Sequence, residues 1–167
     1  MGEEFDEVSL EVIRLAKMRA MKILEYADRT EKQLRDRLKE GEFPPFAIDE
    51  AVKYVQDHHY QDDRRYAEIY IRSKRDQKSA YEIRNELRLR GIDAAVIDEA
   101  VTEAELTEED TVCSLFKKKY ASADLSNPAV YQKAFRYFSG KGYSYETIKA
   151  GITRGIEELS ADEDDAR

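Results

Sequence analysis

The chain has 167 residues, 41% apolar and 38% charged, so it can build a core despite carrying more charge than the ~25% of an average domain. Its formal net charge of -8 disfavours whole-surface attraction to nucleic acid or an anionic membrane, though it does not exclude a local basic patch. The single cysteine, Cys113, excludes an internal disulfide and fits a reducing compartment, and no apolar run approaches the ~20 residues of a membrane span.

Residues 1–8 are polar and acidic and are expected to be flexible. They lack the basic-then-apolar order of a signal peptide, which points to the cytoplasm. From Ser9 the apolar positions Ile13, Ala16, Ala20, Ile23, Leu24 and Ala27 recur on one helical stripe. Thr30-Glu31-Lys32-Gln33 reads as a capping box that starts a second helix with Leu34 and Leu38, ending at Gly41. Pro44-Pro45 suits the start of a third, carrying Ile48, Ala51, Val52 and Val55 to about His58.

The same order then returns. A helix over about 62–76 precedes a second capping box, Ser79-Ala80-Tyr81-Glu82. The short helix that follows carries Ile83 and Leu87 and stops at Gly91, and Asp93 caps a helix with Ile97, Ala100 and Val101. Leu34 recurs as Ile83, Arg35 as Arg84, Leu38 as Leu87, and Ile48-Asp49-Glu50-Ala51-Val52 as Ile97-Asp98-Glu99-Ala100-Val101, all at an offset of 49.

A more diverged third set begins at Thr107 with Val112, Leu115 and Phe116. It continues from the Asn127 cap and Pro128 with Val130, Ala134, Phe135 and Phe138, and turns at Lys141-Gly142. It closes with Ile148, Ile152, Ile156 and Leu159. Few glycines and prolines lie away from helix ends, Gly151 and Gly155 being the exceptions.

The pattern predicts an all-α chain of three tandem three-helix repeats, at 9–60, 61–105 and 106–159, stacked into an elongated curved array. Residues 160–167 are expected to be an acidic disordered tail.

No catalytic constellation emerges, so the chain does not read as an enzyme, and no cofactor or metal is expected. His58 and His59 are adjacent on a helix end, where side chains diverge by about 100°, a poor chelate. Cys113 lies among apolar residues and reads as core. Asp62 and Asp63 open a helix and read as its N-terminal cap. Tyr66, Ile69, Tyr70 and Ser73 share a stripe at i, i+3, i+4, i+7 that reads as packing rather than a stacking platform.

The segment from Arg64 to Arg90 stands out. It holds nine cations (Arg64, Arg65, Arg72, Lys74, Arg75, Lys78, Arg84, Arg88 and Arg90) against four carboxylates, a balance of +5 in an acidic chain. Such a run is usually a solvated face, but most of these cations are arginine, which suits recognition of carboxylate or phosphate.

Asp62-Asp63-Arg64-Arg65-Tyr66-Ala67, Ile83-Arg84-Asn85-Glu86-Leu87 and Arg90-Gly91-Ile92-Asp93 resemble the central motif of the RecX regulatory proteins. Arg29-Thr30-Glu31-Lys32-Gln33-Leu34 matches as well, and the resemblance covers roughly residues 11–159. It implies a cytoplasmic, monomeric, non-enzymatic modulator of recombination and the SOS response. Such a protein binds the RecA recombinase filament on DNA and inhibits its ATPase, strand-exchange and co-protease activities, with a weak direct DNA contact. On this resemblance the nine cations are the partner-binding residues, and Asp62, Asp63, Tyr66, Ala67, Ile83, Leu87 and Gly91 the structural motif. Many relatives carry a glycine where this chain has Asp76-Gln77-Lys78-Ser79, and some are strongly basic overall. A nucleic-acid-binding helical module and a scaffold for another protein are the competing readings.

Overall fold

A computed structural model describes residues 6–165, with side chains to residue 162. Among the described residues every regular element is an α-helix. The first triplet is α1 (Glu7–Tyr26), α2 (Glu31–Glu40) and α3 (Pro45–Asp57). The second is α4 (Asp63–Lys74), α5 (Ala80–Leu89) and α6 (Ala94–Glu103). The third is α7 (Glu108–Tyr120), α8 (Pro128–Gly140) and α9 (Tyr145–Asp165). The expected all-α fold of three tandem helix triplets is the one adopted.

Both chain ends differ from expectation. Asp6 accepts a hydrogen bond from the Ser9 N–H at 2.8 Å, so α1 starts at Glu7, inside the segment expected to be flexible. At the other end α9 runs through 160–165: no glycine or proline falls between Ile156 and Asp165, and the Ser160 hydroxyl donates to the Ile156 carbonyl at 2.9 Å. Residues 1–5 and 166–167 of the two expected tails lie outside the described residues.

The chain divides into two compact units, and the division passes through the middle triplet. One unit comprises the chain up to Ile69 together with Leu87–Asp98; the other comprises Tyr70–Glu86 together with the chain from Glu99 onward. In the first, α1 packs along α3, with Ile13, Ala16, Ala20, Ala51, Val52 and Val55 in one buried cluster with Leu34 and Leu38 of α2. In the second, α7 packs along α9, and Val112, Phe116, Phe138, Ile148 and Ile152 are buried. Each fully buried large side chain of this kind contributes about 1.5–3 kcal/mol.

Gly151 and Gly155, which fit no helix end in the sequence, are explained by this packing. A Cβ on Gly151 would lie 2.6 Å from Val112 Cγ1, and one on Gly155 would lie 2.7 Å from Phe116 Cδ1. The first triplet solves the same crossing with the small residues Ala16 and Ala20 on α1. Where the first helix is bulky, the third helix gives way to glycine.

The helix–helix turn after the second helix of each triplet closes in the same way. Phe43, Ile92 and Tyr143 N–H groups donate back to Leu38, Leu87 and Phe138 carbonyls at 3.3, 3.2 and 3.4 Å. The residue before each donor has positive φ: Glu42 at 59°, Gly91 at 83° and Gly142 at 87°.

On α4 the buried stripe is not the expected one. Ala67 and Ile71 are buried, whereas Ile69 is 47% exposed and Ser73 is exposed. Tyr66 and Tyr70 are half-buried on the flank of the Ala67–Ile71 stripe. Ala67 and Ile71 lie at i, i+4 on one face of the helix, and Tyr66 and Tyr70 fall one position before each, to its side.

Candidate partner-binding segment

The acidic pair that opens the segment splits its work. Asp62 Oδ1 accepts from the Arg65 N–H at 3.1 Å and caps α4, as expected. Asp63 instead turns back to the first triplet: its Oδ1 accepts from the Glu31 N–H at 2.8 Å and from Gln61 Nε2 at 2.7 Å. It thereby satisfies an orphan donor in the first turn of α2, where the Thr30–Gln33 capping box serves two others. The Thr30 hydroxyl donates onward to the Arg90 carbonyl at 2.7 Å.

This arrangement recurs one repeat later. Glu108 Oε1 accepts from the Ala80 N–H at 2.8 Å, and the Ser79 hydroxyl donates to the Lys141 carbonyl at 2.5 Å. The repeating motif residues are thus a lock: a capping hydroxyl and a carboxylate fasten the second helix of one triplet to the turn and first helix of the next. Ala67, Ile83 and Leu87 of the motif are fully buried, and Gly91 sits against the Lys32 side chain.

Burial pushes the Asp63 carboxyl above its ordinary value, outweighing the Glu31 N–H and Gln61 donors, and the Glu31 and Asp62 charges push the same way. A carboxyl raised in the folded state favours the fold most below its unfolded value near 4 and loses that contribution as pH rises through its folded value. At neutral pH the Asp63 charge therefore costs stability while its oxygen supplies it. Asp63→Asn keeps an acceptor and is expected to hold or raise the thermal midpoint at pH 7. Asp63→Ala is expected to lose about 1–2 kcal/mol. Equal losses for both, read by thermal melts at pH 7, would contradict this account.

The nine cations divide by what they already do. Arg65 is spent on the fold: its guanidinium donates to the His59 and Tyr60 carbonyls at 2.9 and 3.0 Å. Arg64 pairs with Glu68 at 3.1 Å, and Arg75 lies 3.9 Å from Asp76. Lys78 bonds Glu86, which also accepts from the Tyr70 hydroxyl. Arg72 and Arg88 are exposed, and Lys74, Arg84 and Arg90 are half-buried. Arg64, Arg65, Arg88 and Arg90 belong to the first compact unit, and Arg72, Lys74, Arg75, Lys78 and Arg84 to the second. Exposed ion pairs of this kind add little stability, so the paired cations remain open to exchange with a partner's anions.

The residues set aside as structural are placed accordingly. Cys113 is buried. His58 Nδ1 lies 2.8 Å from the Tyr54 carbonyl, with its ring against those of Tyr54 and Tyr60. His59 ends α3 in the left-handed region at φ 57°. Among the described residues no group of His, Cys, Asp and Glu is arranged to hold a metal ion, and no helix is long and apolar enough to cross a membrane.

Comparison with known proteins gives each triplet a counterpart. Residues 16–54 match the model of the RecX first three-helix domain, 62–101 that of the second and 107–152 that of the third. A regulatory protein RecX of Clostridium acetobutylicum is 29% identical over 139 residues, spanning 80% of this chain and 65% of that protein. One from Listeria welshimeri is 31% identical over 177 residues, spanning 98% of this chain and 65% of that protein. The chain thus covers slightly less than two thirds of these curated relatives. Among solved structures, RecX from Lactobacillus salivarius shares the fold at a TM-score of 0.74 and 23% identity, over 91% of this chain and 99% of that one. A second structure, of a regulatory protein RecX, aligns at 0.72 and 26% identity, over 89% of this chain and 79% of that one.

Proposed function

The chain belongs to the RecX family, and from that premise we propose that it is a non-enzymatic regulator that binds RecA filaments on DNA and restrains their ATP hydrolysis, strand exchange and co-protease activity. The observation that carries this reading is the match of all three family domains in order along the chain, and the relatives' common name, regulatory protein, supports it. A filament repeats one protomer surface, and three tandem triplets can meet more than one copy of it. Individually weak contacts then add through effective concentration. Bridged protomers resist the change that accompanies ATP turnover, which is how a protein without a reactive centre slows an ATPase.

The cations of the 64–90 segment are the contact we assign, to acidic groups on RecA or to DNA phosphate. The exposed Arg72 and the half-buried Arg75 of the second unit and the exposed Arg88 of the first carry the assignment, and Lys74, Lys78, Arg84 and Arg90 complete the segment. Arg65 supports the α3–α4 turn instead.

The test is a titration of this protein into RecA on single-stranded DNA while ATP hydrolysis is followed. Hydrolysis is expected to fall as the protein approaches stoichiometry with RecA; an unchanged rate at excess rejects the reading. Reversing charge at Arg72, Arg75 and Arg88 together is expected to raise the half-inhibitory concentration at least about tenfold, with the thermal midpoint kept, since rim charges act chiefly on association. Full inhibition by that variant keeps the regulator and discards the surface.

A further inference from the structure

Helix α1 carries a second stripe that the fold does not use. Its core side holds Ile13, Ala16 and Ala20, all buried. On the opposite side Val8, Glu11, Leu15, Met18, Lys22 and Glu25 are all exposed. Steps of three and four residues alternate along this stripe, the spacing that keeps one seam turned toward a partner helix. Val8, Leu15 and Met18 are 73%, 43% and 56% exposed, large apolar side chains left in water. Val8, Glu11 and Leu15 also lie ahead of residue 16, where the match to the first family domain begins.

The order of charges along the stripe specifies what covers it. Leu15 and Met18 form its middle. Glu11 lies four residues before Leu15 and Lys22 four after Met18, so opposite charges stand at equal distances from the centre. A second α1 laid antiparallel sets Leu15 against Met18 and Glu11 against Lys22, each twice. The outermost layers set Val8 beside Glu25, at the wet ends of the seam. A parallel copy would instead set Glu11 on Glu11 and Lys22 on Lys22, like charges facing each other. Glu11 already pairs with Arg14 at 2.6 Å, but both side chains are more than half exposed, and such a pair exchanges at little cost.

We propose that the outer stripe of α1 is a self-association surface, on which a second copy of the chain docks antiparallel through Glu11, Leu15, Met18 and Lys22. This self-complementarity under a two-fold axis is what an isologous dimer requires. It replaces the monomer that the family resemblance implies. From Val8 to Glu25 the seam is roughly 27 Å long at 1.5 Å per residue. A contact of that length buries about 1,000 Å² in total, the low end for a specific interface, so the dimer forms and parts with concentration. Once formed, it presents every surface of the chain twice, and a weak contact to a repeating partner gains from effective concentration.

The experiment is sedimentation velocity on the full chain across about 5–500 µM. The weight-average mass is expected to climb from that of one chain toward that of two. Glu11→Lys and Lys22→Glu should each weaken association at least about tenfold, because each leaves two layers of like charge. The double variant Glu11→Lys/Lys22→Glu should associate as the parent does, since its charges are exchanged rather than lost, and so should an equimolar mixture of the two single variants. Leu15→Glu should abolish association. All three positions are exposed, so helical circular dichroism and the thermal midpoint are expected to hold. Undiminished association of both single variants overturns the proposal, as does a double variant that fails to recover. A parent chain that stays monomeric at every concentration also overturns it and leaves the stripe to a different protein. Neither RecA nor DNA is present, so failure here is distinguishable from failure of the regulatory reading.

Discussion

Replacing Gly151 with valine is expected to lower the thermal midpoint of the chain by about 10 °C, a loss of about 3–4 kcal/mol. On an isolated helix the change would be mildly favourable, because glycine is the weaker helix former by up to about 1 kcal/mol. Packing reverses the sign. The new Cβ falls 2.6 Å from Val112 Cγ1 and 3.0 Å from the Glu109 carbonyl oxygen. The second of these is backbone, so no rotamer of α7 relieves it and α9 must move away from its partner. That motion opens space around Phe116 and Ile152, both fully buried. The smaller Gly151→Ala should cost about 2 kcal/mol, and adding Val112→Ala should return at least about 1 kcal/mol of it, since the two side chains compete for one volume. Thermal melts of the two single variants and the double test this; strict additivity would contradict the close approach.

Gly142→Ala is expected to cost about 3 kcal/mol, read as a fall in the urea midpoint at unchanged slope. Two terms add. At φ 87° an L side chain meets its own carbonyl, which costs about 1–2 kcal/mol. The Cβ also lands 2.6 Å from Tyr81 Cδ1 and 2.8 Å from Tyr81 Cβ. Those atoms are at the root of the tyrosine, so the ring cannot swing clear without disturbing the start of α5. There Ser79 donates to the Lys141 carbonyl and Glu108 holds the Ala80 N–H. Removing the ring with Tyr81→Ala in the same chain should recover only the ring's share of the steric part, since alanine keeps the Cβ at 2.8 Å. A double variant restored to the parent midpoint would show that the backbone term is absent.

Most of the helices were legible in the sequence because their signals are local. The Thr30–Gln33 box, the Asn127–Pro128 start and the glycine turns each act within a few residues. The apolar period then picked out Leu34, Leu38, Ile83, Leu87 and Ile97 as core without knowledge of their neighbours. What failed to show was non-local. Asp63 reads as a cap of its own helix, but it bonds the Glu31 N–H, 32 residues away. The α4 stripe was placed one face off because two tyrosines outweigh an alanine in any apolar count. Yet it is the alanine that is fully buried.

The binding segment shows the same limit. A tally of charge from Arg64 to Arg90 does not distinguish Arg65, which holds two carbonyls, from Arg72, which holds none. Gly151 and Gly155 were visible as anomalies but had no reading until α7 lay against α9.

The turn at Glu42 works as punctuation. Its φ of 59° matches the turns at Gly91 and Gly142, but it bears a side chain where they bear none. The two glycines are bare because the preceding triplet's Lys32 and Tyr81 lie against them. A further triplet grafted in front of α1 in the same register would meet the Glu42 side chain, so lengthening the series by duplication requires Glu42→Gly as its first edit.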